Sequence, residues 1–308
     1  MKVIWNALPR KAWQEFHAQH GGSLQQSWAY GEAMQTLGVQ TQRAAVMDGR
    51  KVLALAQFIG RRYLHYISLA SCTRGPVWSP TLDAQAQNQL YKAFKKTIPN
   101  RLFRVTLHSP DVPLDQLPPA AVKGLHRVMT GYSTVLLDLT QDEQALRQGL
   151  SGKWRNQALG PQAGAGLEVQ FKPDLRECRH LLEQELAQRA QRKFHGLPTD
   201  FVPAFIEGHD RPEQGFVVAT ARQEGRIVAS MLFLLYGQGA TYHIGWSDDT
   251  GRQLNAHNVL LWQAMLHLKK QGTRWLDLGG INTHDLPGIS RFKIATGGQV
   301  LTLAGTYF

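Results

Sequence analysis

Residues 239–280 read GATYHIGWSDDTGRQLNAHNVLLWQAMLHLKKQGTRWLDLGG. The first eight residues predict a β-strand, and an acidic loop follows at 247–251. Apolar side chains then recur at helical spacing over 256–270, and Gly272 after two lysines is typical of a helix end. A second apolar, strand-like segment follows at 274–278. This succession of strand, loop, helix and strand predicts a mixed α/β sheet.

The same order of elements is predicted upstream of this stretch and again in the N-terminal half. Upstream, helices are predicted at 175–193 and 199–208 and strands at 215–221 and 226–236. In the first half, helices are predicted at 9–20, 25–37 and 83–97 and strands at 43–47, 51–60, 63–70 and 102–108. The predicted fold class is therefore α/β, with α+β mixed sheets in two tandem domains. A chain of 308 residues suits two such cores, which we place at 1–135 and 136–308.

Net charge is distributed unevenly along the chain. The formal charge is +11, and residues 1–140 hold 16 Lys and Arg against 7 Asp and Glu, whereas the remainder holds 18 against 16. The first half therefore attracts anions such as nucleic acid, a nucleotide-linked precursor or an anionic membrane surface. The alternative interpretation of each lysine is an ordinary solvated surface.

Several classes of protein are disfavoured by the composition. No apolar run approaches the roughly 20 residues that span a bilayer. The N-terminus has no apolar core or cleavage site of a signal peptide. The two cysteines fit neither a disulfide framework nor a metal site, and the histidines lack metal-ligand spacing. We expect a cytoplasmic protein without a metal or redox cofactor.

The start of the helix at 256–270 bears on cofactor binding. In GNAT-type acetyltransferases an Arg-x-x-Gly-x-Gly loop at this place cradles the pyrophosphate of acetyl-CoA with backbone N–H groups. The corresponding residues here are Arg252, Asn255 and His257, so both glycine positions are filled. Asn255 is also a good N-cap candidate. The pattern disfavours CoA because close approach of a pyrophosphate needs the missing Cβ atoms.

Motifs along nearly the whole chain resemble the Fem family of peptidoglycan-bridge enzymes. They are Asn255-Ala-His-Asn-Val-Leu-Leu-Trp-Gln-Ala-Met265, Gly272-x-x-Trp-Leu-Asp-Leu-Gly-Gly-Ile281, Pro287-Gly-Ile-Ser-Arg-Phe-Lys293, Gln26-Ser-Trp-Ala-Tyr-Gly31 and Arg74-Gly-Pro-Val77. The resemblance implies twin GNAT-like domains with a cleft between them, and a last strand at 299–307 that packs on the N-terminal domain. It also implies transfer of an amino acid from aminoacyl-tRNA to an amine of a peptidoglycan precursor.

The predicted catalytic residues are Lys293, Phe292 and Asp277. The resemblance implies the first two, and Asp277 is added because it stands at a strand end before Gly279-Gly280. A lysine at position 293 stabilises the oxyanion that forms when an amine attacks an aminoacyl ester. Its alternative role is that of a surface lysine at the end of a loop. Phe292 forms a wall of the site or belongs to the core. Asp277 acts as a general base or caps the glycine turn that follows it.

Five residues are expected to bind substrate. Arg74, in a Gly/Pro loop, suits a carboxylate or phosphate. Arg192 matches a family arginine associated with precursor phosphates. Tyr242 lies on the strand before the loop, Asn255 lies at the helix start, and Trp28 belongs to the Gln-Ser-Trp motif.

Two positions depart from the family pattern and bear on the acceptor. Met34 stands where some relatives have a phosphate-binding lysine, and Ser79 stands where they tend to have Asp. The predicted function is aminoacyl-tRNA-dependent N-acyl transfer to a UDP- or lipid-linked cell-wall precursor, with peripheral contact to the inner membrane face. The alternatives are an acyl-CoA-dependent N-acyltransferase acting on an amino sugar or polysaccharide precursor, and a non-catalytic nucleic-acid binder.

Overall fold

The computed structural model of the chain describes residues 1–63, 67–99, 103–192, 197–282 and 287–308. Of residues 61–63, 67, 68, 103, 104 and 189–192 only the backbone is described. Within these ranges no helix is long and apolar enough to cross a membrane.

The predicted helices and strands occur in the predicted order, and further short elements lie between them. The α-helices are α1 (Arg10–Gln19), α2 (Trp28–Thr36), α3 (Ala84–Thr97), α4 (Glu143–Gly149), α5 (Gly152–Leu159), α6 (Leu175–Arg192), α7 (Phe201–Glu207), α8 (Asp249–Gln253), α9 (Ala256–Lys270) and α10 (Pro287–Ile294). The strands are β1 (Lys2–Trp5), β2 (Thr41–Asp48), β3 (Lys51–Tyr63), β4 (Ile67–Thr73), β5 (Val77–Trp78), β6 (Phe103–Ser109), β7 (Arg127–Met129), β8 (Ser133–Asp138), β9 (Glu168–Lys172), β10 (Phe216–Gln223), β11 (Arg226–Tyr236), β12 (Gly239–Ser247), β13 (Trp275–Gly280), β14 (Gln299–Thr302) and β15 (Thr306–Tyr307).

The chain forms two compact units that are not contiguous in sequence. The first comprises Met1–Tyr132, Asp200–Asp210 and Thr302–Phe308, and the second comprises Ser133–Thr199 and Arg211–Leu301. Helix α7 thus belongs to the first unit, whereas the sequence analysis places it in the C-terminal domain. The expected last strand is two short strands, β14 in the second sheet and β15 in the first.

The first unit is built on a sheet with the strand order β1-β2-β3-β4-β6-β15-β7, and β5 pairs with β3. Neighbouring strands β4 and β6 are parallel because α3 connects them. Strand β15 lies between β6 and β7 and pairs antiparallel with both. Helix α7 buries Phe201, Phe205 and Ile206, and it packs against α2.

The second unit repeats this plan with the strand order β14-β8-β13-β12-β11-β10-β9. Strands β12 and β13 are the parallel neighbours, and α8 and α9 connect them. Residues 228–234 of β11 are all buried, as expected of a strand covered on both faces. Helices α6 and α9 both pack against β11. The predicted fold class of mixed sheets in tandem is therefore confirmed.

Candidate functional site

A cavity of the second unit lies where strands β12 and β13 part. Their parallel pairing covers Gly239–Thr241 opposite Trp275–Asp277. Beyond this point residues 242–245, Ser247 and Gly280 border a cavity of about 540 Å³. Side chains from α6, α9 and α10 complete its wall. The divergence of these two parallel strands, which lie in the interior of the sheet, thus provides room for a ligand between them.

Lys293 on α10 is a buried cation in this wall. Its residue exposure is 8%, and its Nζ donates a hydrogen bond of 2.9 Å to the carbonyl oxygen of Gly280. Burial lowers the pKa of the Lys293 ammonium to about 8, and the charge of Asp277 opposes part of that shift. Lys293 therefore lies in a helix and is buried, in contrast to the alternative of a surface lysine that ends a loop. A buried ammonium at a cavity is suited to stabilising a developing oxyanion.

Asp277 stands behind the cavity wall on β13 and is 2% exposed. Its Oδ1 accepts hydrogen bonds from the Thr134 hydroxyl at 2.6 Å and from the Gly279 N–H at 2.7 Å. Asp277 is not among the described residues that line the cavity. The geometry is that of a carboxylate capping the glycine turn, which was the second of the two roles considered from the sequence.

Tyr242 forms part of the cavity wall next to Lys293. The Lys293 Nζ lies 6.0 Å from the centroid of the Tyr242 ring. The register between β12 and β11 shifts at this place through a β-bulge, since Leu232 pairs with Ile244 and Phe233 pairs with Tyr242. The Tyr242 hydroxyl packs so closely on Gly245 that a Cβ there would overlap it. Burial raises the pKa of the Tyr242 phenol, so this hydroxyl stays protonated at neutral pH.

Aromatic rings make the wall on the α9 and α10 side. Phe292 lines the cavity, and its ring centroid lies 5.9 Å from that of Trp154 and 6.3 Å from that of His257. The Nε2 of His257 is 3.0 Å from the Trp246 carbonyl oxygen. Burial lowers the pKa of His257, so the ring is neutral at pH 7. Phe292 therefore both lines the cavity and packs on the core, which joins the two roles predicted for it.

Helix α6 supplies polar residues that the sequence analysis did not select. Glu185 and Gln188 line the cavity, and Glu185 is 5% exposed. Their position on the buried face of α6 could have been inferred from the spacing with Leu181, since residues four and seven apart share a helix face. A charged residue at an apolar position of that stripe was the available signal.

The strand-loop-helix segment differs from the expectation for Asn255. In place of a loop, residues 249–253 form helix α8, and the Asp248 side chain caps it by accepting from the Gly251 N–H at 2.8 Å. Asn255 has φ +52° and makes no capping hydrogen bond to α9. The N-cap prediction is therefore wrong, because a cap requires extended backbone to turn the side chain back over the helix start. Asn255 is also absent from the described lining of the cavity.

Arg74 lies in the first unit beside a separate cavity of about 270 Å³. It has φ +50°, and its Nε donates to Asp111 Oδ1 at 2.7 Å. Its carbonyl oxygen accepts from the Ser23 hydroxyl at 2.8 Å. The aromatic residues Trp78 and Tyr91 also line this cavity. The structure therefore gives Arg74 an internal ion pair, and its contact with substrate stays a prediction.

The Gln-Ser-Trp motif organises the first unit. Gln26 is fully buried, and its side chain accepts from the Gln57 N–H at 2.7 Å and donates to the Thr73 carbonyl at 2.8 Å. Ser27 caps α2. The guanidinium of Arg43 lies 3.8 Å from the centroid of the Trp28 ring, a cation–π contact. These contacts explain the motif by packing, and the role of Trp28 in substrate binding stays a prediction.

The remaining sequence-derived residue is Arg192, the last residue of α6, whose side chain lies outside the described part of the chain. Of the eight predicted site residues, the structure brings Lys293, Phe292 and Tyr242 to one cavity, with Asp277 directly behind it. In the described ranges no three His, Cys, Asp or Glu side chains are arranged to hold a metal ion.

Comparison with known proteins agrees with this architecture. Residues 147–293 match the sequence family described as an acetyltransferase (GNAT) domain. This range includes all the described residues that line the cavity. No curated protein sequence matches the chain significantly.

Solved structures share the fold over the full length. The alignment with the structure of FemX covers 100% of this chain and 96% of the FemX chain, with a TM-score of 0.85 at 15% identity. The alignment with the C-terminal domain (DUF2156) of a putative lysylphosphatidylglycerol synthetase from Agrobacterium fabrum covers 97% of this chain and 91% of that domain, with a TM-score of 0.54 at 17% identity. A tandem GNAT protein from the clavulanic acid biosynthesis pathway covers 99% and 98%, with a TM-score of 0.51 at 12% identity. The resemblance to the Fem family is thereby confirmed at the level of the fold.

Proposed function

We propose that the protein is an N-acyltransferase of the Fem type, which moves an aminoacyl group from a charged tRNA to an amine of a cell-wall precursor. The observation that carries this proposal is the buried ammonium of Lys293 in the wall of a cavity inside an acetyltransferase-type domain. The Fem-like fold and the Fem-like motifs support the same conclusion.

The reaction requires little acid–base catalysis by the protein. A neutral amine attacks the carbonyl carbon of the aminoacyl ester, and the carbonyl oxygen becomes an oxyanion. The Lys293 ammonium, which is 8% exposed, stabilises that charge, because such an interaction is stronger at a buried position than in bulk solvent. The intermediate then collapses to the amide, the bond to the ribose oxygen breaks, and that oxygen receives the proton lost by the amine. Holding the two substrates together supplies a further part of the rate enhancement.

The segment between β12 and α9 favours an aminoacyl ester over acyl-CoA as donor. Asn255 and His257 fill the two positions at the start of α9 where close approach of a pyrophosphate requires glycine. The neighbouring carboxylates Asp248 and Asp249 form ion pairs with Arg226 and Arg252.

The contacts to the acceptor's phosphates are expected to differ from those in relatives with a phosphate-binding lysine. Met34 is 8% exposed and belongs to the core of the first unit. Ser79 is buried too, and its hydroxyl lies 2.8 Å from that of Thr81. The Met34 side chain therefore takes part in core packing, and the Ser79 side chain takes part in a local hydrogen bond. The basic surplus of residues 1–140 supports binding of a polyanion such as tRNA or a UDP- or lipid-linked precursor.

The second candidate is an acyl-CoA-dependent N-acyltransferase that acts on an amino sugar or polysaccharide precursor. The match of residues 147–293 to an acetyltransferase domain favours it. The two candidates differ in their donor, so a donor assay separates them.

The test combines transfer and binding with one variant and one control. The protein is supplied with total charged tRNA or with acetyl-CoA, and with a UDP-linked muropeptide as amine acceptor. We expect transfer from charged tRNA, and a loss of about 10²- to 10³-fold in kcat for Lys293→Ala. The control Lys270→Ala removes an exposed charge on α9 and should leave kcat unchanged.

Two other results would contradict parts of this proposal. Turnover with acetyl-CoA that persists after RNase treatment would favour the second candidate. Full activity of Lys293→Ala with its own donor would remove Lys293 from the mechanism.

A further inference from the structure

The buried stripe of helix α6 changes from apolar to charged where it reaches the cavity. Cys178 and Leu181 are buried at 3% and 0% exposure, and Glu185 continues the same face at 5%. Gln188, one further turn along, also lines the cavity. Leu186, next to Glu185 in sequence, is instead 47% exposed. The helix therefore buries a carboxylate while a leucine beside it faces solvent.

This arrangement places a carboxylate at a position of the helix face where an apolar residue would fit the pattern. Removing a carboxylate from water is unfavourable unless charge or hydrogen bonds compensate it. Positions at which a sequence breaks its own hydrophobic pattern are commonly functional. Glu177, two turns earlier on α6, shows the structural alternative, since it forms an ion pair of 2.7 Å with Arg222 and accepts from the Thr220 hydroxyl. Glu185 differs from Glu177 because it borders the cavity.

Glu185 and Lys293 give one cavity a buried anion and a buried cation. Arg252 also lines this cavity, but its side chain is half-exposed and forms an ion pair with Asp249. Ile244, Ile289 and Phe292 contribute apolar wall. An α-aminoacyl ester carries a matching pattern. Its carbonyl oxygen becomes negative during attack, and its ammonium lies on the carbon next to the carbonyl. An acetyl group has the carbonyl and lacks the ammonium.

We propose that Glu185 is a specificity-determining residue that binds the α-ammonium of the donated aminoacyl group, while Lys293 receives the carbonyl oxygen. The inference rests on the proposed function and deepens it, because it assigns a residue to the recognition of the α-ammonium of the donated group. A charge-assisted hydrogen bond from ammonium to carboxylate selects against donors without the charge by about 10- to 100-fold.

The experiment compares one charged tRNA before and after nitrous-acid deamination, which replaces the α-ammonium by a hydroxyl and keeps the ester. Transfer to the UDP-linked muropeptide is measured as kcat/KM for both donors. We expect the wild-type protein to prefer the aminoacyl donor by about 10- to 100-fold. Glu185→Gln should bring the ratio close to 1, mainly by slowing the aminoacyl donor, and Glu185→Asp should retain part of the preference.

Matched variants guard against loss of fold. Glu183→Gln changes an exposed carboxylate on the same helix and should keep the wild-type ratio. Thermal unfolding of each variant shows that the fold is intact, and the ratio of two donors on one protein sample is independent of the active fraction.

Two results would overturn the inference. The wild-type ratio could persist in Glu185→Gln, and if both donors were slowed equally in that variant, Glu185 would be assigned to the acceptor. The wild-type protein could also transfer both donors equally well. In each of these cases transfer from tRNA still occurs, so the proposed function stands. Turnover with acetyl-CoA alone, and none with either tRNA donor, would instead refute the proposed function together with the inference.

Discussion

At the scale of single residues, the protonation state of Lys293 is set by two opposing influences. Burial disfavours the ammonium and lowers its pKa to about 8, while the Asp277 carboxylate favours the ammonium. Asp277 is itself fixed by hydrogen bonds from Thr134 and Gly279. Lys293 consequently remains mostly charged at pH 7 and loses its proton within the next two pH units.

A pH profile tests this balance. Because the ammonium is the form that stabilises an oxyanion, kcat should fall as pH rises through about 8. Asp277→Asn removes the charge that raises the pKa of Lys293, so the fall should move to lower pH. Lys293→Arg, which stays protonated at high pH, should abolish the fall in whatever activity it retains.

The control for this profile is Asp138→Asn, which alters a carboxylate at the end of β8 that bonds locally to Thr140. Its profile should match the wild type. A basic limb that stays in place in Asp277→Asn would contradict the coupling between Asp277 and Lys293.

At the scale of elements, β12 is shaped to present its side chains to the cavity. Its pairing with β13 ends at Thr241, and the bulge at His243 changes which residues face the same side of the sheet. Gly245 leaves room for the Tyr242 hydroxyl. The strand thus needs a bulge and a glycine within four residues.

Gly245→Ala tests this requirement. The added methyl group overlaps the Tyr242 hydroxyl, so the ring must move away from its position beside Lys293. We expect unfolding free energy to fall by about 1–3 kcal/mol. Transfer should fall by at least about tenfold, since small displacements in an active site are costly.

The matched control is Gly152→Ala on α5, where an added methyl group meets no atom within 4 Å. It should leave transfer unchanged and stabilise the helix slightly. Wild-type kinetics in Gly245→Ala would show that the place of Tyr242 is unimportant for the reaction.

At the scale of the whole molecule, the first unit draws on three separate stretches of chain. Residues 200–210 contribute α7, and residues 302–308 contribute β15, which pairs with β6 and β7. Phe201 and Phe205 have no exposed surface, and Tyr307 is 7% exposed. The first unit therefore contains apolar surface that its N-terminal stretch cannot cover alone.

A fragment of residues 1–132 should consequently fail to unfold cooperatively. Without α7 and β15 it exposes the apolar face of α2 and leaves two strand edges unpaired. Thermal and urea unfolding, followed by far- and near-ultraviolet circular dichroism, provide the measurement. The full-length chain is the control. A sharp two-state transition of the fragment would show that these two segments are dispensable.

Local pattern in the sequence was sufficient for the order of elements and for the fold class. The helical spacing over 256–270, the strand that follows it and the repetition of this plan in the first half gave the tandem mixed sheets. The motif that ends at Lys293 also led to the cavity, because a short sequence motif can be compared with a family pattern without knowledge of any tertiary contact. Short helices such as α10 and α8 were not predicted, since few residues carry too little periodicity.

The tertiary structure alone decided which residues share a site and which segments share a core. The parting of β12 from β13, the burial of Lys293 and the meeting of Glu185 with the same cavity depend on strand pairing and helix packing. The inclusion of α7 and β15 in the first unit depends on contacts across more than a hundred residues of chain. Periodicity records only which face of an element is apolar, whereas the identity of the surface that covers this face follows from the topology of the entire sheet.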